Sequence, residues 1–122
     1  MTMVCRGIRG ATTAANTSES IHEATQEMLE AILKGNALRK EQVAAAYFTT
    51  TRDLNAAFPS TAARVRLGWE YVALMDSEQM EVPGALPKCI RVLLLVNTDK
   101  PPEALVNIYL RGAVNLRATT RA

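Results

Sequence analysis

Between Val4 and Thr13 the chain alternates, with Val4, Arg6 and Ile8 on one side of an extended segment and Cys5, Gly7 and Arg9 on the other. Glycines at 7 and 10 flank Arg9 and thin the side-chain cover around it; in a strand, glycine often marks close approach by a ligand or another backbone. The stretch NTSES then offers several N-caps, and the apolar period changes from two to that of a helix. Ile21, Ala24, Met28 and Ile32 form one stripe, widened by Thr25 and Leu29, while Glu19, Glu23, Glu27 and Glu30 look outward. This spacing predicts an amphipathic helix over residues 18–34, stopped by Gly35 and Asn36.

Further along, RKEQ reads as a short helical turn entering a strand near residues 44–51, and Pro59 suits the first turn of a short helix ending near Gly68. WEYVALM reads as a strand, followed by DSEQMEVPGALPK as a long polar connection turning at Pro83 and Gly84. Residues 89–97 are the most apolar run and read as a central strand buried on both faces. After TDKPPEAL, one helical turn leads into a broken extended segment over residues 107–116, interrupted by Gly112. The expected class is α+β: a mixed five-stranded sheet covered by one long helix. One helix cannot cover both faces of such a sheet, so the other is expected to meet a partner subunit.

Composition narrows the function. At 122 residues the chain fits a single domain over 1–117, with 118–122 as a flexible C-terminal tail. No apolar run reaches the ~18 residues of a membrane span. No signal peptide is recognisable, so a cytoplasmic location is expected. A net charge of +2, with Lys and Arg nearly balanced by Asp and Glu, argues against a nucleic-acid partner. Cys5, Cys89 and the lone His22 are too few and too dispersed for a metal site; one disulfide between the cysteines is conceivable, but reduced, buried thiols are expected.

Arginine supplies ten of the fourteen cations. Arg6 or Arg9, Arg91 and Arg117 fall on strand-like segments, and Arg64 on the short helix. Any one alone reads as a snorkelling or ion-paired side chain. Together they ask for more, because the runs around Arg9 and Arg91 contain no acid and a guanidinium cannot shed its charge. If the two strands are neighbours, two forks face an anion, and a small dicarboxylate suits them. The residues themselves imply an arginine-lined pocket for a small anion, without metal or cofactor.

At these positions RGIRGATT, FPSTAARVRLGWEYV, LPKCIRVLLLVNT and IYLRGAVNLR resemble the monofunctional chorismate mutases of the trimeric bacterial class, from Cys5 to about Arg117. The resemblance implies a homotrimeric pseudo-α/β barrel with active sites between subunits. It also implies cofactor-free conversion of chorismate to prephenate in phenylalanine and tyrosine biosynthesis. By motif, Arg91 is the cation at the substrate's ether oxygen, Arg9 grips a carboxylate and Tyr109 donates a hydrogen bond. Phe58, Leu74 and Leu116 resemble the apolar wall, and Arg64 and Arg117 the mobile cations at the mouth. The backbone of Met75 and Asp76 is expected to contact the ligand, with Ser60, Thr61, Ser77, Glu78 and Gln79 completing the binding set.

Two departures from the family pattern matter. Thr61 stands where a basic residue is common, and Gln79 stands where the family carries its active-site glutamate, with Glu78 beside it. In an extended segment a one-residue step sends side chains to opposite faces, so Glu78 does not simply substitute. Gln79 can accept a hydrogen bond from the ring hydroxyl but brings no charge, so activity is expected at a reduced rate. Two alternatives remain: a trimeric imine deaminase, which should not combine RGIRGATT with CIRV, and a non-catalytic small-carboxylate-binding trimer, which Gln79 alone favours.

Overall fold

In the computed structural model of the chain, residues 2–116 are described. Five strands, β1 (Val4–Thr13), β2 (Val43–Thr50), β3 (Ala73–Glu78), β4 (Cys89–Thr98) and β5 (Ile108–Tyr109), form one sheet in the order β3-β2-β4-β1-β5. β4 runs antiparallel to both its neighbours, whereas β2 and β3, and β1 and β5, pair parallel. The sheet is therefore mixed, and the run containing Arg91 is its central strand.

The helix α1 (Ser18–Gly35) begins where Thr17 accepts the Ser20 N–H at 3.1 Å, and ends at Asn36. The Asn36 side chain is buried and accepts the Val106 N–H at 2.7 Å, while its amide donates to the carbonyls of Ile32 and Val106. The helix is thereby tied to the chain entering β5. Ile21, Met28 and Ile32 of α1 join Ile8, Phe48, Ile90, Val92, Leu94 and Val96 in one core. Gly10 sits beneath the helix: a Cβ there would lie 2.8 Å from Ile32 Cδ1 and 3.3 Å from Met28 Cγ. Glycine is needed for this close packing of helix on sheet.

Several elements differ from expectation. Cover of the core face is shared, because the helix α2 (Pro59–Thr61), continued by the π-helical turn Ala62–Arg66, lies on the same side as α1. WEYVALM is not one strand. Trp69 is buried and its N–H closes the helical segment on the Ala63 carbonyl at 3.1 Å; strand pairing starts at Ala73 and runs on through Glu78, into the expected polar connection. The final segment pairs only over Ile108–Tyr109, because Arg111 takes a left-handed φ of 52° and a 3-10 turn, Arg111–Ala113, follows. Arg117 and the tail 118–122 lie outside the described residues.

β4 is apolar on both faces, but one chain covers only one of them. Ile90, Val92, Leu94 and Val96 are buried, while Leu93 is 43% exposed. Met75 and Tyr47, on the same side of the sheet, are also exposed, leaving an open apolar face. Cys5 pairs with Asn97 and Cys89 with Thr13, at opposite ends of the β1–β4 ladder, so these free thiols cannot bridge within the chain; Cys89 is buried, but Cys5, near the start of β1, is exposed rather than buried as expected. No helix among the described residues is long and apolar enough to cross a membrane.

Candidate active site

Arg91 lies opposite Ala11, and Arg9 opposite Leu93, on the adjacent strands β4 and β1. Directly paired positions share a face, so both guanidinium groups project from the open side of the sheet. Tyr109 joins them from β5, where it also pairs with Ala11. The small Ala11 side chain leaves room among the three, and Arg9, Arg91, Tyr109 and Leu116 line a cavity of about 370 Å³. Among the described residues no Asp or Glu lines this cavity.

The acids that form ion pairs are engaged elsewhere, Glu19 with Arg66, Glu23 and Glu27 with Arg111, and Glu78 and Glu81 with Arg52. Among the described residues neither Arg9 nor Arg91 has an acidic partner. Arg91 Nε and the Tyr109 hydroxyl are buried without a hydrogen-bond partner. Each such group costs about 1–3 kcal/mol when left unsatisfied. The fold keeps two donors aimed into an acid-free, arginine-lined hollow, and an anion would satisfy both.

Strand parity sends Glu78 and Gln79 to opposite faces of the sheet. Gln79 N–H donates to the Thr50 carbonyl at 2.7 Å, extending the β2–β3 alternation by one residue. Its side chain falls on the face of Arg91, and the two line an adjoining cavity of about 610 Å³ with Leu116. The Gln79 Oε1 atom is buried without a partner. Glu78 points to the opposite face, with its carboxylate 3.4 Å from Arg52 Nε.

The remaining expected site residues gather elsewhere, at the β3 edge. Phe58, Asp76, Ser77 and Glu78 line a separate cavity, and Leu74 and Met75 a hollow shared with Tyr47 and Leu93. The Asp76 carboxylate accepts the Ser60 N–H at 3.0 Å and the Ser60 hydroxyl at 2.5 Å, so both side chains fasten the start of α2. Thr61 is half-buried on α2, and Arg64 is exposed beyond it. The expected set thus splits within one chain. Arg9, Gln79, Arg91, Tyr109 and Leu116 form one group; Phe58, Ser60, Thr61, Arg64 and residues 74–78 form the other. Arg117, expected at the mouth, is outside the described residues.

Three residues at or beside the cavity escaped the sequence reading. Tyr47 and Thr49 line it from β2, because Thr49 pairs with Arg91 and Tyr47 with Leu93. Their alternation was visible, but the register that carries them to Arg91 was not. Cys89 is fully buried two positions before Arg91; burial pushes its thiol up from the usual value, and the Arg91 charge opposes that shift. No group of three or more His, Cys, Asp or Glu able to hold a metal occurs among the described residues.

The fold and cavity together define a small α+β domain with an arginine-lined hollow on the open face of its sheet. The family model for chorismate mutase type I matches residues 5–120. The chain is 48% identical over 114 residues to chorismate mutase AroH of Thermus thermophilus, covering 92% of this chain and 93% of that protein. It is 42% identical over 116 residues to chorismate mutase AroH of Bacillus subtilis, covering 94% and 91%. A solved chorismate mutase from Clostridium thermocellum superposes with a TM-score of 0.86 at 45% identity, over 88% of this chain and 96% of that one. The chain belongs to the chorismate mutase type I family, whose members are isomerases.

Proposed function

We propose that this chain rearranges chorismate to prephenate as a cytoplasmic enzyme of phenylalanine and tyrosine biosynthesis, at a site completed by a second copy of the chain within a homotrimer. The carrying observation is the acid-free cavity in which Arg9, Arg91 and Tyr109 converge with two unsatisfied buried donors. The assembly is supported by the split of the site residues: Arg9, Arg91 and Tyr109 line one cavity from β1, β4 and β5, while Phe58 and Leu74 line separate hollows at the β3 edge. It is supported also by the open apolar face around Tyr47, Met75 and Leu93, which a barrel-like trimer would cover.

The reaction is unimolecular and pericyclic, so it needs neither nucleophile nor general base. The protein accelerates it by holding the compact conformer and by stabilising charge that grows as the ether bond breaks. Arg9 anchors a carboxylate, Arg91 faces the ether oxygen where negative charge develops, and Tyr109 donates beside them. A part-buried guanidinium, with its Nε already out of water, acts with little reorganisation during the step. Gln79 accepts from the ring hydroxyl through Oε1 and adds no charge. Phe58 and Leu74 of the neighbouring copy close the apolar wall opposite Leu116, and Arg64 attracts the dianion at the mouth.

Decay of chorismate absorbance with purified protein tests the activity, and mixed assemblies test the shared site. Arg91→Ala removes the cation on one side, and Phe58→Asp sets a carboxylate against the dianion on the other. Each variant alone is expected to be inactive, whereas co-refolded mixtures regain roughly a quarter of the wild-type sites, since each closed-ring interface draws on two chains. No recovery would overturn the shared site. The neutral Gln79 supports a second reading, a carboxylate-binding trimer without catalysis. That reading wins if chorismate raises the melting temperature but does not decay.

A further inference from the structure

Residues 79–88 leave the sheet and return to it at one place. Gln79 N–H donates to the Thr50 carbonyl at 2.7 Å where the segment departs. Where it returns, the Lys88 N–H reaches both Asp53 oxygens, at 3.0 and 3.2 Å. The Thr51 hydroxyl donates to Asp53 at 2.5 Å and accepts the Cys89 N–H at 3.0 Å. Thr51 N–H then donates to the Cys89 carbonyl at 3.0 Å, closing a two-way link between the ends of β2 and β4.

Lys88 is held at φ 54°, the left-handed region that a residue with a Cβ rarely adopts. Its carbonyl accepts the Ala14 N–H at 3.1 Å, so the end of β1 is fastened to the same point. Arg91 follows two residues beyond this knot. Since no acid among the described residues pairs with its guanidinium, its aim depends on where the β4 backbone starts and on the packing around its stem, the neighbouring Cys89 thiol included. An arginine with an ion pair would be steered by its partner; this one is steered from its root.

We infer that Asp53 and Thr51 form a carboxylate–hydroxyl clasp that positions Arg91 and Gln79 relative to each other, making both positioning residues for the reaction without touching substrate. This rests on the proposed roles of Arg91 and Gln79. The Thr51 hydrogen bond, helped by the Lys88 N–H, also holds the Asp53 carboxyl below its usual range, consistent with an ionised clasp.

Full-length Asp53→Asn, Thr51→Val, Thr51→Ser and Arg91→Ala are compared with wild type below their melting temperatures, with folded fraction read by circular dichroism. Asn keeps the size of Asp53 but replaces one acceptor oxygen with an NH2 donor, which must face either the Lys88 N–H or the Thr51 hydroxyl; Val keeps the shape of Thr51 and removes its hydroxyl. Both are expected to lower kcat about ten- to a hundred-fold through misplacement of Arg91, with KM within about three-fold. Thr51→Ser restores the hydroxyl and should return kcat to within about three-fold of wild type. The clasp is overturned if Asp53→Asn and Thr51→Val keep kcat within two-fold while Arg91→Ala loses activity. It is overturned equally if Thr51→Ser is as slow as Thr51→Val, or if lost folded fraction accounts for the lost rate. Arg91→Ala at wild-type rate would overturn the site assignment and the clasp together.

Discussion

Gln79, just past the end of β3, and Arg91 of β4 line one cavity, and each brings to it a buried polar atom, Oε1 and Nε, that no described residue satisfies. The pair is complementary in polarity but carries only one charge. A carboxylate in place of the amide would add negative potential where the ring becomes electron-poor. Gln79→Glu is therefore expected to raise kcat about ten-fold, one well-placed charge being worth at least that in a dry site. Glu78→Gln, acting on the opposite face and losing only an exposed pair with Arg52, should leave kcat within two-fold. Steady-state rates with chorismate check both; equal effects would contradict the strand parity.

Removing the Arg91 guanidinium separates catalysis from stability. Arg91→Ala should lower kcat by on the order of 10²–10³ or more, as loss of a donor to a developing oxyanion does. It also deletes a part-buried charge without an acidic partner, so its melting temperature should equal or exceed that of wild type. A marked fall in melting temperature would mean that Arg91 is a structural ion.

Gly10 is the position where helix and sheet come closest. Gly10→Ala places a methyl 2.8 Å from Ile32 Cδ1, 3.2 Å from Val92 Cγ1 and 3.3 Å from Met28 Cγ. Overpacking of this kind costs about 1–3 kcal/mol. Denaturant unfolding should show a lower midpoint with an unchanged slope.

The open sheet face predicts an assembly that charge can break. Leu93→Asp puts a carboxylate among Tyr47, Met75 and Leu93, each more than 40% exposed in the single chain. Sedimentation should show a shift from three chains to one, with activity lost and secondary structure retained. A variant that keeps the wild-type mass would place the interface elsewhere.

Asp53 gives a pH signature. Its carboxyl is held below the usual 3.8 in the folded chain, chiefly by the Thr51 hydroxyl, so folding favours the ionised form. That contribution is complete above the unfolded value near 3.8 and is lost as pH falls through the lower folded value. The melting-temperature gap between wild type and Asp53→Asn should therefore be constant from neutrality down to about pH 5 and shrink below 3.8. A gap that widens toward acid would reverse the sign of this linkage.

Local pattern carried much of the fold. The stripe from Ile21 to Ile32, with Gly35 and Asn36 after it, marked α1 to within a residue, since an amphipathic helix needs only its own period to be recognised. WEYVALM misled because a short apolar run fits either state. Trp69 closes a helical segment while Ala73 pairs with Ala45 of β2, and only that pairing says where the strand begins.

The site divides in the same way. Taken alone, the sequence determined that Arg9 and Arg91 lie in acid-free runs, and that Glu78 and Gln79 must face opposite ways, because alternation is a property of any extended chain. Tertiary structure decided which of the two meets Arg91, and that Tyr47 and Thr49 share its cavity. It also placed Thr51 and Asp53 at the root of β4. These are facts of register, set by hydrogen bonds such as Gln79 N–H to Thr50 between segments far apart in the chain. A one-residue slip would exchange the faces and leave every local pattern intact.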